Sequence, residues 1–353
     1  MIRPLVPLAT LLVLAGCART PATPVVGSTG PVPCTFTNPI GSGQDPWVIR
    51  SDSSYYLVES RNGGIYLYRS RTLAGLKSGT ATRIWSAPAT GWNRSNIWAP
   101  ELHLVDGRWY VYYAAGESGP PFIHQRSGVL ESAGADPAGP YTDRGMLRTG
   151  DTPASEPIWA IDLTVQEIGG RLYAVWSGWE GNRDTDKTPQ RLYIAPMSNP
   201  WTISGDRVLI SSPTASWEVG SELSLNEGPE FLPHDKQMFI VYSTRESWLR
   251  EYRLGQLRLA EGADPLLPQS WVKSGPVFQG TDSVYGVGHA SFIVSPDGTE
   301  NWIVYHSKRA VAPGWDRVIR AQEFGWRPDG SPDFGTPVPS NQAVQAPSGE
   351  CRP

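Results

Sequence analysis

The chain has 353 residues and a formal net charge of −4, from 30 Lys and Arg against 34 Asp and Glu, with no basic cluster; this balance argues against a nucleic-acid partner. Its 15 Trp, 14 Tyr and 8 Phe stand beside 37 Gly and 33 Pro, and long helical patterns are missing. Such an aromatic, turn-rich composition predicts an all-β protein with flat apolar platforms suited to sugars or other planar ligands.

The chain opens with MIRPLVPLATLLVLAGC, in which Arg3 is a positive n-region, residues 8–15 an apolar stretch and Leu14-Ala15-Gly16-Cys17 a small-residue cleavage site. Residues 1–17 therefore read as a bacterial lipoprotein signal with lipid added to Cys17, since the apolar run falls short of the about 20 residues a spanning helix needs. Residues 18–33, rich in Pro, Thr and Gly, read as a flexible tether to a folded domain over 34–353. Export follows, with the lipid on Cys17 as the sole membrane attachment. Ala18 stands where an inner-membrane lipoprotein commonly carries Asp, which favours the outer membrane, at its periplasmic face or at the cell surface. Without Cys17 only Cys34 and Cys351 remain, near the two ends of the folded part, and in an oxidising compartment such a pair suggests a disulfide; two reduced thiols are the alternative.

Five segments then superpose in chain order: DPWVIRSDSSYYLVES from Asp45, APELHLVDGRWYVYYAA from Ala99, IDLTVQEIGGRLYAVWSG from Ile161, EGPEFLPHDKQMFIVYS from Glu227 and GHASFIVSPDGTENWIVYHS from Gly288. Each is a short apolar run, a polar or Gly-containing turn and an aromatic/aliphatic run, the pattern of an antiparallel hairpin. The spacing of roughly 54 to 66 residues is that of a repeat array or propeller. A weaker second hairpin follows each first one, beginning GGIYLYRS, SGVLES, QRLYIAP, GQLRLA and DRVIRAQEF. Two hairpins make a four-stranded sheet, and five such sheets around an axis predict a single-domain, five-bladed β-propeller, with Cys34 and Cys351 close together where the ring closes.

The innermost strands of a propeller converge on a central channel, so the residues opening each first hairpin should meet there: Asp45, Trp98 with Glu101, Asp162, Glu227 with Glu230, and His289. Aligning Pro46, Pro100 and Pro229 puts Glu101 and Glu230 at one repeat position, which favours a scaffold role for both, such as bonding the neighbouring blade's backbone, and singles out Glu227. Asp162 lies in WAIDLTV, apolar on both sides, where an uncompensated carboxylate is costly. Asp45, before Pro-Trp-Val-Ile, reads either as a turn residue or as a third axial carboxylate. Carboxylates brought together raise at least one pKa, as a general acid at neutral pH requires, and two carboxylates flanking the bond are the minimum for glycoside hydrolysis.

QDPWV, IWAPELH, AIDLTV, NEGPEF and YGVGHASF, with WIVYHS and RAQEFGW, resemble the motifs of glycoside hydrolase family 43 from about Asn38 to Val338. The resemblance implies an inverting enzyme with Asp45 as general base, Glu227 as general acid and Asp162 tuning the pKa of the acid. It further implies Trp98 and Trp179 as walls of the sugar pocket, with blade packing as the alternative. Arg320 becomes an arginine reaching the active centre or, alternatively, an inter-blade ion pair. His289 matches the axial histidine that in many members lies beside a water-coordinated calcium or sodium ion; no cofactor is otherwise expected. The motifs most resemble exo-acting α-L-arabinofuranosidases, acting on arabinan- or arabinoxylan-type substrates; β-xylosidases and endo-arabinanases belong to the same family. A non-catalytic sugar-binding propeller is the alternative of a different class.

Overall fold

The computed structural model describes residues 34–351, so the signal, Cys17 and the tether lie outside the described residues. Five antiparallel sheets follow one another along the chain, as the repeat predicts. Blade one is built from Trp47–Ser51, Ser54–Arg61, Gly64–Ser70 and Thr82–Ser86, and blade two from Ser95–Val105, Arg108–Gly116, Arg126–Ser132 and Tyr141–Met146. Blade three uses Ala160–Ile168, Arg171–Gly178, Arg191–Asn199 and Val208–Ser211; blade four uses Asn226–His234, Gln237–Thr244, Arg253–Leu259 and Trp271–Gln279. In blade five Tyr285–Val294, Asn301–Lys308 and Arg317–Trp326 follow in order. The first strand of each blade packs against the first strands of its neighbours, all the way round the axis.

Turn chemistry sets the hairpins. Asn62-Gly63, Asp106-Gly107 and Gly169-Gly170 each place two residues of positive φ between directly paired strands, the backbone a two-residue hairpin turn requires.

Packing explains why the second strands are apolar on both faces. In blade one Tyr55 and Leu57 join the cluster shared with blade five, while Tyr56 and Val58 join the one shared with blade two. The same alternation holds in blade two, where Tyr110 and Tyr112 face blade three and Trp109, Val111 and Tyr113 face blade one. It recurs in blade four, with Ile240 and Tyr242 toward blade three and Phe239 and Val241 toward blade five. Side chains of a strand alternate faces, so a sheet sandwiched between two others has no face left for polar residues.

Closure adds to the expected hairpins. The expected second hairpin of blade five forms at its tip, where Pro332–Asp333 pairs with Trp326 and Gly325, while Gly41–Ser42, from the start of the domain, supplies the outer strand beside Ile319 and Val318. Asn38 extends the seam, its side-chain amide donating to Ala321 O at 2.8 Å and its side-chain oxygen accepting from Ala321 N at 2.9 Å. Thr35–Thr37 pairs with Ala343–Gln345, which brings the thiols of Cys34 and Cys351 into hydrogen-bond contact, with no S–S bond between them; this contact pushes the Cys351 thiol up to about 11. That adjacency is what the expected disulfide needs. In protein produced by export without Cys17, thiol titration after denaturation without reductant is expected to find none, and two titratable thiols per chain would remove the bridge.

Candidate active site

Four of the five inner strands carry a bulge near the axis, and in blade one Asp45 bends the chain just before the strand begins. Between Trp98 and Glu101 the inner strand has one residue more than its partner segment, Ala114 to Tyr112, and the same bulge lies at Ile161–Thr164, Glu227–Glu230 and Gly288–Ser291. At corresponding positions stand Asp45, Ala99, Asp162, Gly228 and His289, all left-handed, with φ of 47°, 40°, 52°, 51° and 48°. Left-handed backbone is strained for any residue with a Cβ, and bulges re-aim side chains. Here five such bends, one per blade, turn their residues toward a common point. Gly228 is the one site where only glycine fits, because a Cβ there would come within 3.0 Å of the His289 ring.

The residues expected at the axis do meet. Asp45 Oδ1 lies 3.2 Å from His289 Nδ1, 3.2 Å from His306 Nδ1 and 3.3 Å from Arg317 Nη1. Asp162 Oδ2 accepts from the backbone N–H of Gly228 at 2.9 Å, tying blade three to the residue after Glu227. Glu227 Oε1 accepts from the Tyr252 hydroxyl at 2.9 Å, and the Tyr252 ring stacks on His306 at 5.4 Å. A cavity of about 610 Å³ opens over this floor, lined by Asp45, Asp162, Glu227, Trp98, Phe122, Trp159, Trp248, Trp315 and Arg317 among others.

The three carboxyls are held in different states. Burial raises Asp45, but His289, the hydrogen bond to His306 and the Arg317 cation outweigh it and hold the carboxyl well below its usual range. Burial pushes both histidines toward the neutral form, His306 to about 3, so near neutral pH the lasting positive charge beside Asp45 is Arg317. Glu227 is pushed up to about 7 by burial, against the pull of Tyr252 and Arg317. Asp162 is raised well above its usual value by burial and then by Glu227 and Asp45. Buried carboxyls this close cannot all ionise, so protons are retained near neutral pH.

Glu230 lies elsewhere. It does not line the cavity; it accepts from Thr164 Oγ1 of the preceding blade at 3.3 Å and faces Glu101, which, with burial, raises it well above the ordinary carboxyl range. Glu101 in turn contacts His103 at 2.9 Å. The bond to the neighbouring blade is thus made to a side chain, not to backbone.

Two residues suggested by the resemblance are displaced. Trp179 is fully buried and stacks face to face on Trp159 at 4.5 Å; Trp159, not Trp179, forms the cavity wall, fixed by its Nε1–H donating to Phe122 O at 2.7 Å. The repeated Ile-Trp-Ala of residues 97–99 and 158–160 was the available signal. Arg320 bonds Ser307 Oγ, Val338 O and Ser340 Oγ, away from the site, while Arg317 makes the contact with Asp45. Positions three apart on one strand point to opposite faces, so both arginines cannot serve the same site. Trp98 does line the cavity, packed edge-on against Phe122 at 4.9 Å. His289 Nδ1 lies against Asp45, and among the described residues no group of three or more His, Cys, Asp or Glu side chains is placed to hold a metal ion directly.

Five antiparallel blades that gather two aspartates and a glutamate beneath an aromatic-walled cavity define a propeller with the carboxyl set that glycoside hydrolases use. The chain belongs to glycosyl hydrolases family 43, whose sequence profile matches residues 36–332. An extracellular exo-α-(1→5)-L-arabinofuranosidase of Streptomyces avermitilis is 38% identical over 336 residues, covering 91% of this chain and 66% of that protein. An α-L-arabinofuranosidase 43 of Humicola insolens is 37% identical over 310 residues, covering 84% of this chain and 62% of that protein. The crystal structure of an α-L-arabinofuranosidase from Lactobacillus brevis matches with a TM-score of 0.79 at 33% identity, covering 87% of this chain and 98% of that one. The chain therefore spans slightly less than two thirds of the length of these two curated relatives.

The two arginines should separate in mutants. Arg317→Met is expected to lower kcat/KM on the order of 10²-fold, because the carboxylate beside it loses its lasting counter-charge. Arg320→Met should stay within about threefold in kcat/KM and instead lower stability by about 1.5–3 kcal/mol through lost buried hydrogen bonds. Steady-state kinetics and denaturant unfolding of both variants check the assignment.

Proposed function

We propose that this protein is an inverting, exo-acting α-L-arabinofuranosidase, exported and acting on arabinan- or arabinoxylan-type chains. The observation that carries the reading is the split between two carboxyls on one cavity: Asp45 held ionised by Arg317, and Glu227 held protonated to about 7 by burial. A general base and a general acid need those two states at the same pH.

In this mechanism Asp45 takes a proton from water, whose oxygen attacks the anomeric carbon. The glycosidic C–O bond breaks on the opposite face, and Glu227 gives its proton to the departing oxygen. The closest contacts of His289, His306 and Arg317 fall on Oδ1 of Asp45, which supports Oδ2 as the oxygen that takes the proton from water. Asp162 fixes the backbone beside the acid through Gly228 N and competes with Glu227 for ionisation, which favours keeping a proton on the pair.

Exo action is supported by the walls. Asp186 accepts from Phe122 N at 3.1 Å and Lys187 pairs with Glu222 at 2.9 Å, so the segment between the second and third strands of blade three spans one side of the cavity. The names of the two curated relatives and of the Lactobacillus brevis enzyme support the sugar. Export is supported by the extracellular relative and by the leader that ends at Cys17, where lipid would anchor the chain to the outer membrane.

The pH profile follows with its sign. Glu227 must be protonated, so kcat/KM should fall as pH rises through about 7, while the low pKa of Asp45 puts the acid limb far lower. Glu227→Gln should abolish the alkaline limb and cost about 10² to 10⁴ on natural sugars, with a much smaller loss on aryl glycosides whose leaving group needs no proton. A rate profile of both enzymes on both substrates tests this; equal losses on the two would remove Glu227 as acid. For stereochemistry, proton NMR of an α-arabinofuranoside digest should show β-arabinose first, and α-arabinose first would mean retention and a nucleophilic Asp45. No turnover of any arabinofuranoside, with binding retained, would favour the sugar-binding propeller.

A further inference from the structure

At the mouth of the cavity stands Trp315, 61% exposed, and it is the only aromatic among the large exposed hydrophobic side chains of the described residues. A tryptophan left in water forgoes a large burial gain, and at this rim its flat apolar face stands open to whatever enters the cavity. Trp315 is also braced. Its ring lies 5.3 Å from Trp248, and the Arg317 guanidinium sits 4.9 Å from its centroid. The two loops that carry the tryptophans are joined at the backbone: Gly314 N donates to Trp248 O at 2.9 Å, and the buried Lys308 ammonium donates to Trp248 O at 2.7 Å and Gly314 O at 2.8 Å.

The direction from the reacting bond to this pair is set by the acid. Glu227 and Ser247 line the same cavity, and Trp248, the next residue along the chain, lines it too with its ring against Trp315, so the side of the cavity where the leaving oxygen is protonated leads to Trp248 and then Trp315. A second, smaller cleft of about 330 Å³ meets the cavity at Trp315, but its walls are Gln44, Asp45, Glu59 and Arg61, on the side of the base, where an inverting reaction places water.

We propose that Trp315, with Trp248, is the platform for the sugar on the leaving side of the scissile bond. The enzyme thereby reads the second ring of an arabinofuranosyl chain as well as the terminal one. The inference rests on the arabinofuranosidase reading above. The apolar face of the second sugar lies on the Trp315 ring, and Trp248 sets the angle at which the chain leaves. Binding energy from this non-reacting ring then holds the scissile oxygen at Glu227.

The test compares (1→5)-α-L-arabinobiose with methyl α-L-arabinofuranoside, which lacks a second ring. In Trp315→Ala the ratio of kcat/KM for the disaccharide over the methyl glycoside is expected to fall at least about tenfold, and Trp315→Phe should recover most of it because a flat face remains. Equal losses on both substrates would overturn the proposal, since the ring would then serve only to support Arg317. An unchanged ratio would overturn it as well. Trp248→Ala supplies an independent second variant for the same ratio, expected to fall in the same direction. If wild-type protein cleaves neither substrate the arabinofuranosidase reading itself fails; if it cleaves both and the ratio is constant, only the platform does.

Discussion

Everything in this molecule depends on sheets buried on both faces. Because Tyr55 and Leu57 point to one neighbour and Tyr56 and Val58 to the other, a blade cannot be stable alone: each of its faces needs a partner. Five sheets satisfy one another only as a closed ring, with a separate apolar cluster in each of the inter-blade seams. The axis is where the sheets come closest, and the polar residues excluded from the seams collect there.

The site uses the irregular part of that regular frame. Asp45, Asp162 and His289 occupy one repeat position, each at a strained left-handed bend, and Gly228 fills the same position in blade four, where Glu227, one residue earlier, lines the cavity. Blade two has Ala99 there and offers Trp98 as a wall. Two acidic residues at equivalent points of a repeat are thus not scaffold by virtue of recurring. The recurrence that does mark a deeper layer is that of Glu101 and Glu230: both are buried, and burial together with the neighbouring Glu101 raises Glu230 well above the ordinary carboxyl range.

The hairpins, their number and the convergence of the three acids were legible because they depend on local pattern: apolar runs, Asn-Gly and Asp-Gly turns and the opening residue of each first strand. Trp179 against Trp159 was not, since both flank the same hairpin and only the stacked geometry says which ring faces outward. Arg317 against Arg320 turns on which face of an edge-adjacent strand looks at the axis, a register question that spacing alone leaves open. His306 and Tyr252 went unnoticed because His306 lies on a second strand and Tyr252 just before a third, away from the openings of the inner ones. The origin of the last outer strand depends on a contact between Gly41 and Ile319, far apart in sequence, for which a single chain carries no local sign.

That closing strand has a consequence for how function and folding are linked. Asp45 sits three residues after Ser42 at the seam, and its partners His289, His306 and Arg317 all belong to blade five. Asp45 and its counter-charge Arg317 therefore face each other across the junction between the earliest and latest segments of the domain. Blades two to four are held by contacts closer in sequence, yet on their own they contain neither Asp45 nor any of its three partners. Under the proposed mechanism, activity would thus report topological completion: a chain that has not brought its two ends together would lack the ion pair on which the proposed base depends.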